Sequence, residues 1–532
     1  MMRQKTTRGA VQSAVLLALL VLSFGVFSPA LSAGAQGKET PIAGDPVKID
    51  SGLVAGKLLP GGVKAYLGIP YAAPPIGDLR WREPQPVRAW AGVRTADQYG
   101  NSCMQPHSFP DSPPLSEDCL YLNLWVPAAS PTGKFPVIVY IVGTGYRNGT
   151  AAIPMLSGEA LAKKGVVFLN FNYRLGLFGN LAHPDLTAES PYRSSGNYVH
   201  RDEVAVLQWV HRNIARFGGD PDNVTLMGQS SGAIDVSYLQ ASPLLHGLIH
   251  RVVAFSGSTY QGGPWPATPL KQAEQWGIEF QQRLGAKSLA EMRALPAERL
   301  LKASSTEIEE PVGADGYVLS MPAPEIMAAH RQNDVPILLE RCRDEGFSPL
   351  GSVKTIDEFK ATLQRMAGAK ADEVLKLYPV SSDSEAAATG MRAALDSSLG
   401  KTLVQWAADQ SSAQSPAFLS VFSHGAPGRS GHGSELPYYL NTISLPMPAF
   451  MREEHITPYD IELADKLSDV LVAFAKSGDP DTSAVHWARY DPKDPHELVI
   501  GESMDIVPVD KGIYYFIANP DVRLSNITSP RR

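Results

Sequence analysis

The sequence predicts an α/β protein built on a central, mostly parallel, doubly wound sheet with helical cap or insert regions. Three observations carry that expectation. Apolar runs of strand length recur along the chain, helical patterns alternate with them, and glycines mark many of the junctions. The strand runs are FPVIVYIV (135–142), GVVFLNFNY (165–173), NVTLMG (223–228), HRVVAFSG (250–257), VPILLERC (335–342) and PAFLSVFSH (416–424). They are apolar at successive positions, as strands covered on both faces require. Between them, EVAVLQWVHRNIARFG (203–218) sets Val206, Val210 and Ile214 on one helical face and ends at glycine. IELADKLSDVLVAFAKSG (461–478) is a second amphipathic helix closed by glycine. The segment 268–411, apart from the 335–342 strand, reads as mostly helical insert. Ahead of the sheet, VKIDSGLVAGKLLPGGVKAYLGIPYA (47–72) reads as short strands with glycine turns.

Bulk composition narrows the function classes. With 532 residues, 44% hydrophobic and 19% charged, the chain has the material for a large core. The net charge of −7 and the mixing of both signs give no basic stripe, so a nucleic-acid partner is not expected. The N-terminus stands apart. Arg3, Lys5 and Arg8 precede the apolar run AVLLALLVLSFGVF (14–27), and small residues follow. That order is the pattern of an export signal, 1–35, cut after Ala35. A polar linker, 36–46, leads into a single domain, 47–532. The apolar run is short for a bilayer span, and no later run is long enough. The mature chain is therefore expected to be secreted or periplasmic, without a membrane span.

Three cysteines are present. Cys103 and Cys119 are near enough in sequence to close a short loop, which export permits. Cys342 is left over and is expected as a buried thiol. Histidines at ligand spacing to these cysteines are lacking, so no metal is expected.

The segment TLMGQSSGAID (225–235) carries the chemistry. It holds the string G-Q-S-S-G around Ser230, with a strand pattern before it and a helical pattern after it. A bare G-x-S-x-G arises by chance about 0.2 times in a chain of this length, so the context decides. A strand–turn–helix is what a nucleophilic serine needs: the glycines keep the tight turn clear and the hydroxyl stands free. A serine hydroxyl is a poor nucleophile until a base takes its proton, and on such a fold the order is serine, acid, histidine. His432, in SGHGSELPYYL after the last core strand, is the favoured base over His424. Asp344 and Glu345 in RCRDEGF both stand as candidate acids. YIVGTGYRNGT (140–150) is the candidate oxyanion loop.

These pieces, with YLGIPYAAPPIGDLRW, SEDCLYLNLWVP, NYRLGLFG, FGGDPDNVTLMGQSSGA, HGSELPY and FAKSGDP, resemble the type-B carboxylesterases. These are the cholinesterase-like branch of the α/β-hydrolases, and the likeness is greatest to bacterial para-nitrobenzyl-esterase-like members. It runs from about 47 to 509. The resemblance implies an α/β-hydrolase fold and a carboxylic ester hydrolase acting on small-molecule esters without a cofactor. It makes Ser230 the nucleophile, Glu345 rather than Asp344 the acid, and His432 the base. It pairs Cys103 with Cys119 and assigns the N–H groups of Thr144, Gly145 and Ser231 to the oxyanion hole. A lipase or a specialist for aromatic esters or carbamates is the alternative. A non-catalytic binding relative on this fold would have lost triad residues, and this chain keeps all three.

Three departures from the family pattern bear on the site. Thr144 replaces a glycine, which implies either a tolerated substitution or a narrower site or an added hydroxyl donor. Gln229 replaces a glutamate beside the nucleophile, which implies a lower histidine pKa than in glutamate-bearing relatives. Ser231 replaces an alanine and keeps its N–H. Tyr146 and Tyr438 are expected to line the substrate pocket.

Overall fold

A computed structural model describes residues 40–42, 45–109, 111–128, 134–260, 268–304, 311–425, 429–447 and 455–525. The expected signal peptide and most of the expected linker lie outside the described residues. The described residues form one compact unit. Its frame is a 12-stranded sheet. In chain order the strands are β1 (Thr40–Pro41), β2 (Lys57–Leu58), β3 (Lys64–Pro70), β4 (Tyr121–Val126), β5 (Phe135–Ile141), β6 (Val167–Phe171), β7 (Gly219–Gln229), β8 (Arg251–Phe255), β9 (Ile337–Cys342), β10 (Ala417–Phe422), β11 (His496–Ile500) and β12 (Met504–Pro508). In space they run β1-β2-β3-β4-β6-β5-β7-β8-β9-β10-β11-β12. From β6 to β11 all neighbours are parallel, and antiparallel pairs flank that block on both sides.

The strand order reverses at β5. The chain steps from β5 outward to β6, then crosses back to place β7 on the other side of β5. A crevice opens at the carboxyl ends of strands where connections diverge in this way, and ligands bind there in open α/β sheets. Here those ends deliver the 142–148 loop from β5 and Ser230 from β7.

Two apolar layers cover the sheet, and alternation along each strand feeds both. On β5, Val137, Val139 and Ile141 enter one core while Ile138 and Tyr140 enter the other. The first core packs helix α1 (Tyr198–Asn213) through Val206 and Val210, and the second packs α3 (Pro458–Ser477) through Leu467, Val470 and Leu471. Helix α2 (Ser231–Gln240) lies between them in sequence and is buried along its whole length. Helix α1 begins five residues before its apolar pattern, at Tyr198, because polar residues of its first turns are themselves buried. Helix α3 starts at a capping box between Thr457 and Asp460 and ends at Gly478 with φ +78. The span 268–411 contributes β9 and a series of helices, the longest being Leu270–Leu284, Ile356–Ala367 and Asp383–Leu395.

Cys103 and Cys119 are joined in a disulfide, and Cys342 is free and buried. Among the described residues no helix is long and apolar enough to cross a membrane. Closing a loop of this length removes about 3 kcal/mol of unfolded-state entropy. Replacing both cysteines by serine is expected to lower the unfolding free energy by about that amount, read from urea titrations with and without the bond. An unchanged midpoint would assign the bond no role in stability.

Candidate active site

Strand β7 ends at Gln229 and helix α2 begins at Ser231, so the turn between them is one residue. Ser230 occupies it at φ 60 and ψ −127, a region that non-glycine residues rarely enter. Its backbone is held at both ends. Its N–H donates to the Phe255 carbonyl on β8 at 2.8 Å, and its carbonyl accepts from Ala233 at 3.0 Å and Ile234 at 3.1 Å. The flanking glycines are needed for contact. A Cβ on Gly228 would lie 2.2 Å from the Gly232 carbonyl oxygen, and one on Gly232 would lie 2.4 Å from that of Ile141. Neither strand nor helix can withdraw from such contacts without breaking the turn.

The turn presents the Ser230 hydroxyl to His432, with Nε2 2.7 Å from Oγ. The other ring nitrogen, Nδ1, lies 2.6 Å from Glu345 Oε2. Glu345 follows β9 directly and is fully buried. Its Oε1 accepts from the Ser256 hydroxyl at 2.7 Å and from the Cys342 N–H at 2.6 Å. The carboxylate is thus fixed to the ends of β8 and β9 before it meets the imidazole. Burial would lower the His432 pKa, but the bond and charge of Glu345, with Glu435 behind it, outweigh burial and hold it above the ordinary histidine value.

The competing residues are engaged elsewhere. Asp344 pairs with Arg343 at 2.8 Å. His424 meets Asp460 at 2.5 Å.

Thr144 and Gly145 follow β5, and their N–H groups converge on the Ser231 hydroxyl, at 2.9 and 3.0 Å. The Thr144 side chain is turned into its own loop. Its hydroxyl accepts from the Tyr146 N–H at 3.0 Å and bonds the Tyr173 hydroxyl at 3.0 Å. Its methyl lies where a Cβ on Gly149 would fall, 2.2 Å away. Of the alternatives for this residue, these bonds count against a hydroxyl aimed into the site and make the side chain a local lock on the loop. The far end of the loop is fastened by Gln105, inside the disulfide-closed segment, which bonds both the N–H and the carbonyl of Gly149 at 2.9 and 3.0 Å.

Tyr146 and Tyr438 do not line a pocket. They are 1% and 2% exposed, and their hydroxyls donate to Asp235 and Asp460 at 2.8 and 2.9 Å. Each is a core ring with a satisfied polar end. The exposed ring beside the triad is Phe347, 46% exposed and packed edge-on to His432 with centroids 5.6 Å apart.

Two buried acid groups escaped the sequence reading. Behind His432, the Cys342 thiol donates to Glu435 at 2.8 Å, and burial with the charge of Glu345 pushes the Glu435 carboxyl up to about 7. Burial likewise pushes Glu340 up to about 8, against bonds from Ser420 and Tyr439. Beneath the loop, His200, Glu203 and Asp235 bring ligand-type atoms within 4.8 Å of one another. Burial and the adjacent Asp235 charge push the Glu203 carboxyl well above the ordinary carboxylate range. Glutamates inside apolar strands, as in VPILLERC, were the available signal for the first group.

Gln229, next to Ser230, sets its amide nitrogen 3.4 Å from His432 Nε2. A neutral amide therefore stands beside the ring edge that faces Ser230.

The comparisons agree with this architecture. The carboxylesterase family model matches residues 44–513. The fumonisin B1 esterase of Sphingopyxis macrogoltabida is 36% identical over 464 residues, 83% of this chain and 84% of that protein. The para-nitrobenzyl esterase of Bacillus subtilis is 31% identical over 471 residues, 84% of this chain and 92% of that one. A solved PNB esterase structure, 29% identical, superposes with a TM-score of 0.76 over 90% of this chain and 99% of its own. The chain belongs to the carboxylesterase family, has the α/β-hydrolase fold, and is a carboxylic ester hydrolase.

Proposed function

We propose that Ser230 is the nucleophile of ester hydrolysis, with His432 as its base and Glu345 as the acid that orients the base. The observation that carries this assignment is the unbroken relay from Ser230 Oγ to His432 Nε2 at 2.7 Å and from Nδ1 to Glu345 at 2.6 Å. In acylation, His432 takes the Ser230 proton as Oγ attacks the ester carbonyl. The tetrahedral oxygen is received by the N–H groups of Thr144, Gly145 and Ser231, each worth about 3–4 kcal/mol in such sites. His432 then gives its proton to the departing alcohol, and water repeats the sequence on the acyl-enzyme. Glu345 keeps the Nδ1 proton in place and stabilises the imidazolium.

Phe347 supports a substrate with an apolar group beside His432, since a half-exposed ring at the reacting centre loses water when such a group packs on it. The test is an ester panel varying acyl and alcohol size, including para-nitrobenzyl esters and fumonisin B1, on wild type and Ser230→Ala. The variant is expected to lose about ten-thousand-fold or more in kcat/KM on every ester that wild type cleaves. A variant retaining a tenth of wild-type activity would reject Ser230 as nucleophile.

The active form needs neutral His432, so activity falls as pH drops through its pKa. Wild type is expected to lose activity below a point set above the ordinary histidine value. Gln229→Glu places an anion beside Nε2, favours imidazolium, and moves that limb of the kcat/KM profile up by about one pH unit. A limb that stays put counts against the electrostatic role of residue 229.

Export is proposed on the pattern of residues 1–35, supported by the Cys103–Cys119 disulfide. N-terminal sequencing of protein recovered outside the cytoplasm should begin after Ala35. An intact Met1 would refute cleavage.

A further inference from the structure

Residue 231 reaches the loop with two groups. Its N–H is the third proposed donor to the tetrahedral oxygen. Its hydroxyl, fully buried, accepts from the Thr144 and Gly145 N–H groups at 2.9 and 3.0 Å. Two backbone N–H groups converging on one oxygen at such distances are the geometry of an oxyanion hole. The oxygen that fills it here belongs to the protein itself.

We propose that the Ser231 hydroxyl is an internal ligand of the oxyanion hole, holding the substrate oxygen's place in the resting enzyme and surrendering it when an ester binds. This rests on the reading of Thr144 and Gly145 as donors and of Ser230 as nucleophile. The hydroxyl and an ester carbonyl are both neutral acceptors, so exchanging one for the other returns little free energy on binding. Bonds from N–H to an anionic oxygen are roughly twice as strong, so the exchange becomes favourable as charge develops. The placeholder must be displaced in the ground state and in the transition state alike, so it raises KM and lowers kcat/KM while leaving kcat unchanged.

The rest of the loop suits this role. Thr144 is locked by Tyr146 and Tyr173, and Gly149 by Gln105, so the donors keep their aim while Ser231 turns about one staggered torsion.

The test compares the full-length wild type with Ser231→Ala, and with Ser231→Gly as a second opening of the same space. kcat and KM are measured separately on para-nitrophenyl acetate, together with the second-order rate of inactivation by diethyl para-nitrophenyl phosphate. Removing the hydroxyl is expected to lower KM by about three- to tenfold, the worth of one neutral hydrogen bond, and to speed inactivation by a similar factor. A fall in kcat at constant KM would overturn the proposal, because it would make the hydroxyl a donor to the tetrahedral oxygen. Constants unchanged within experimental error would also overturn it. A crystal structure of the phosphorylated wild type gives an independent reading. The phosphoryl oxygen should sit on the Thr144 and Gly145 N–H groups with Ser231 Oγ rotated away; Oγ still bound to both would refute the exchange. Phosphorylation that survives in Ser230→Ala would instead fault the nucleophile assignment, which separates the two failures.

Discussion

The backbone of Ser230 sits where a side-chain-bearing residue costs about 1–3 kcal/mol, and the fold around it is arranged so that no cheaper conformation fits. Its N–H is committed to β8 and its carbonyl to the first turn of α2. The glycines on either side press against backbone on both sides of the turn, leaving no room for relaxation. Once that turn is fixed, the direction of α2 is fixed, and with it the positions of Ser231 and Asp235. The oxyanion loop must then meet α2 at Ser231 and, through Tyr146, at Asp235. Much of the site is a consequence of one residue's φ and ψ.

The sheet supplies the other half of the geometry. Because β5 and β7 are neighbours in parallel register, with Ile141 opposite Gly228, the loop after one and the turn after the other open on the same side. Glu345 enters from β9, two strands further along, yet it is anchored to Ser256 at the end of β8 as well as to Cys342. Each triad member leaves a strand end or the loop that follows one.

Much of this was legible in the sequence because period and punctuation report it directly. The runs at 135–142, 165–173, 250–257, 335–342 and 416–424 became β5, β6, β8, β9 and β10 with ends shifted by a few residues. Strands β11 and β12 were missed, since HELVI and MDIVP are short and carry charges. The choice of Glu345 over Asp344 was not available from adjacency; it came from the family likeness, and in the structure an arginine beside Asp344 engages that carboxylate. Tyr146 and Tyr438 misled because aromatic residues near a motif say nothing about which way the ring points. The direction of the Thr144 hydroxyl could not be read for a related reason, since it is set by partners, Tyr146 and Tyr173, whose contacts are not encoded in spacing. Glu340 showed itself as a glutamate inside an apolar strand, but its partners Ser420 and Tyr439, like those of Glu203 and Glu435, arrive from distant segments and could not be read.

The segment between Cys103 and Cys119 has a meaning beyond its contribution to stability. Gln105 inside it holds Gly149, and Ser102 beside it bonds Thr150 at 3.0 Å. The covalent bond thus braces a clamp on the far end of the oxyanion loop. In a reducing compartment that brace would be absent while the sheet and the triad strands kept their own supports. The bond therefore reaches, through Gln105, to the segment that carries the Thr144 and Gly145 amides.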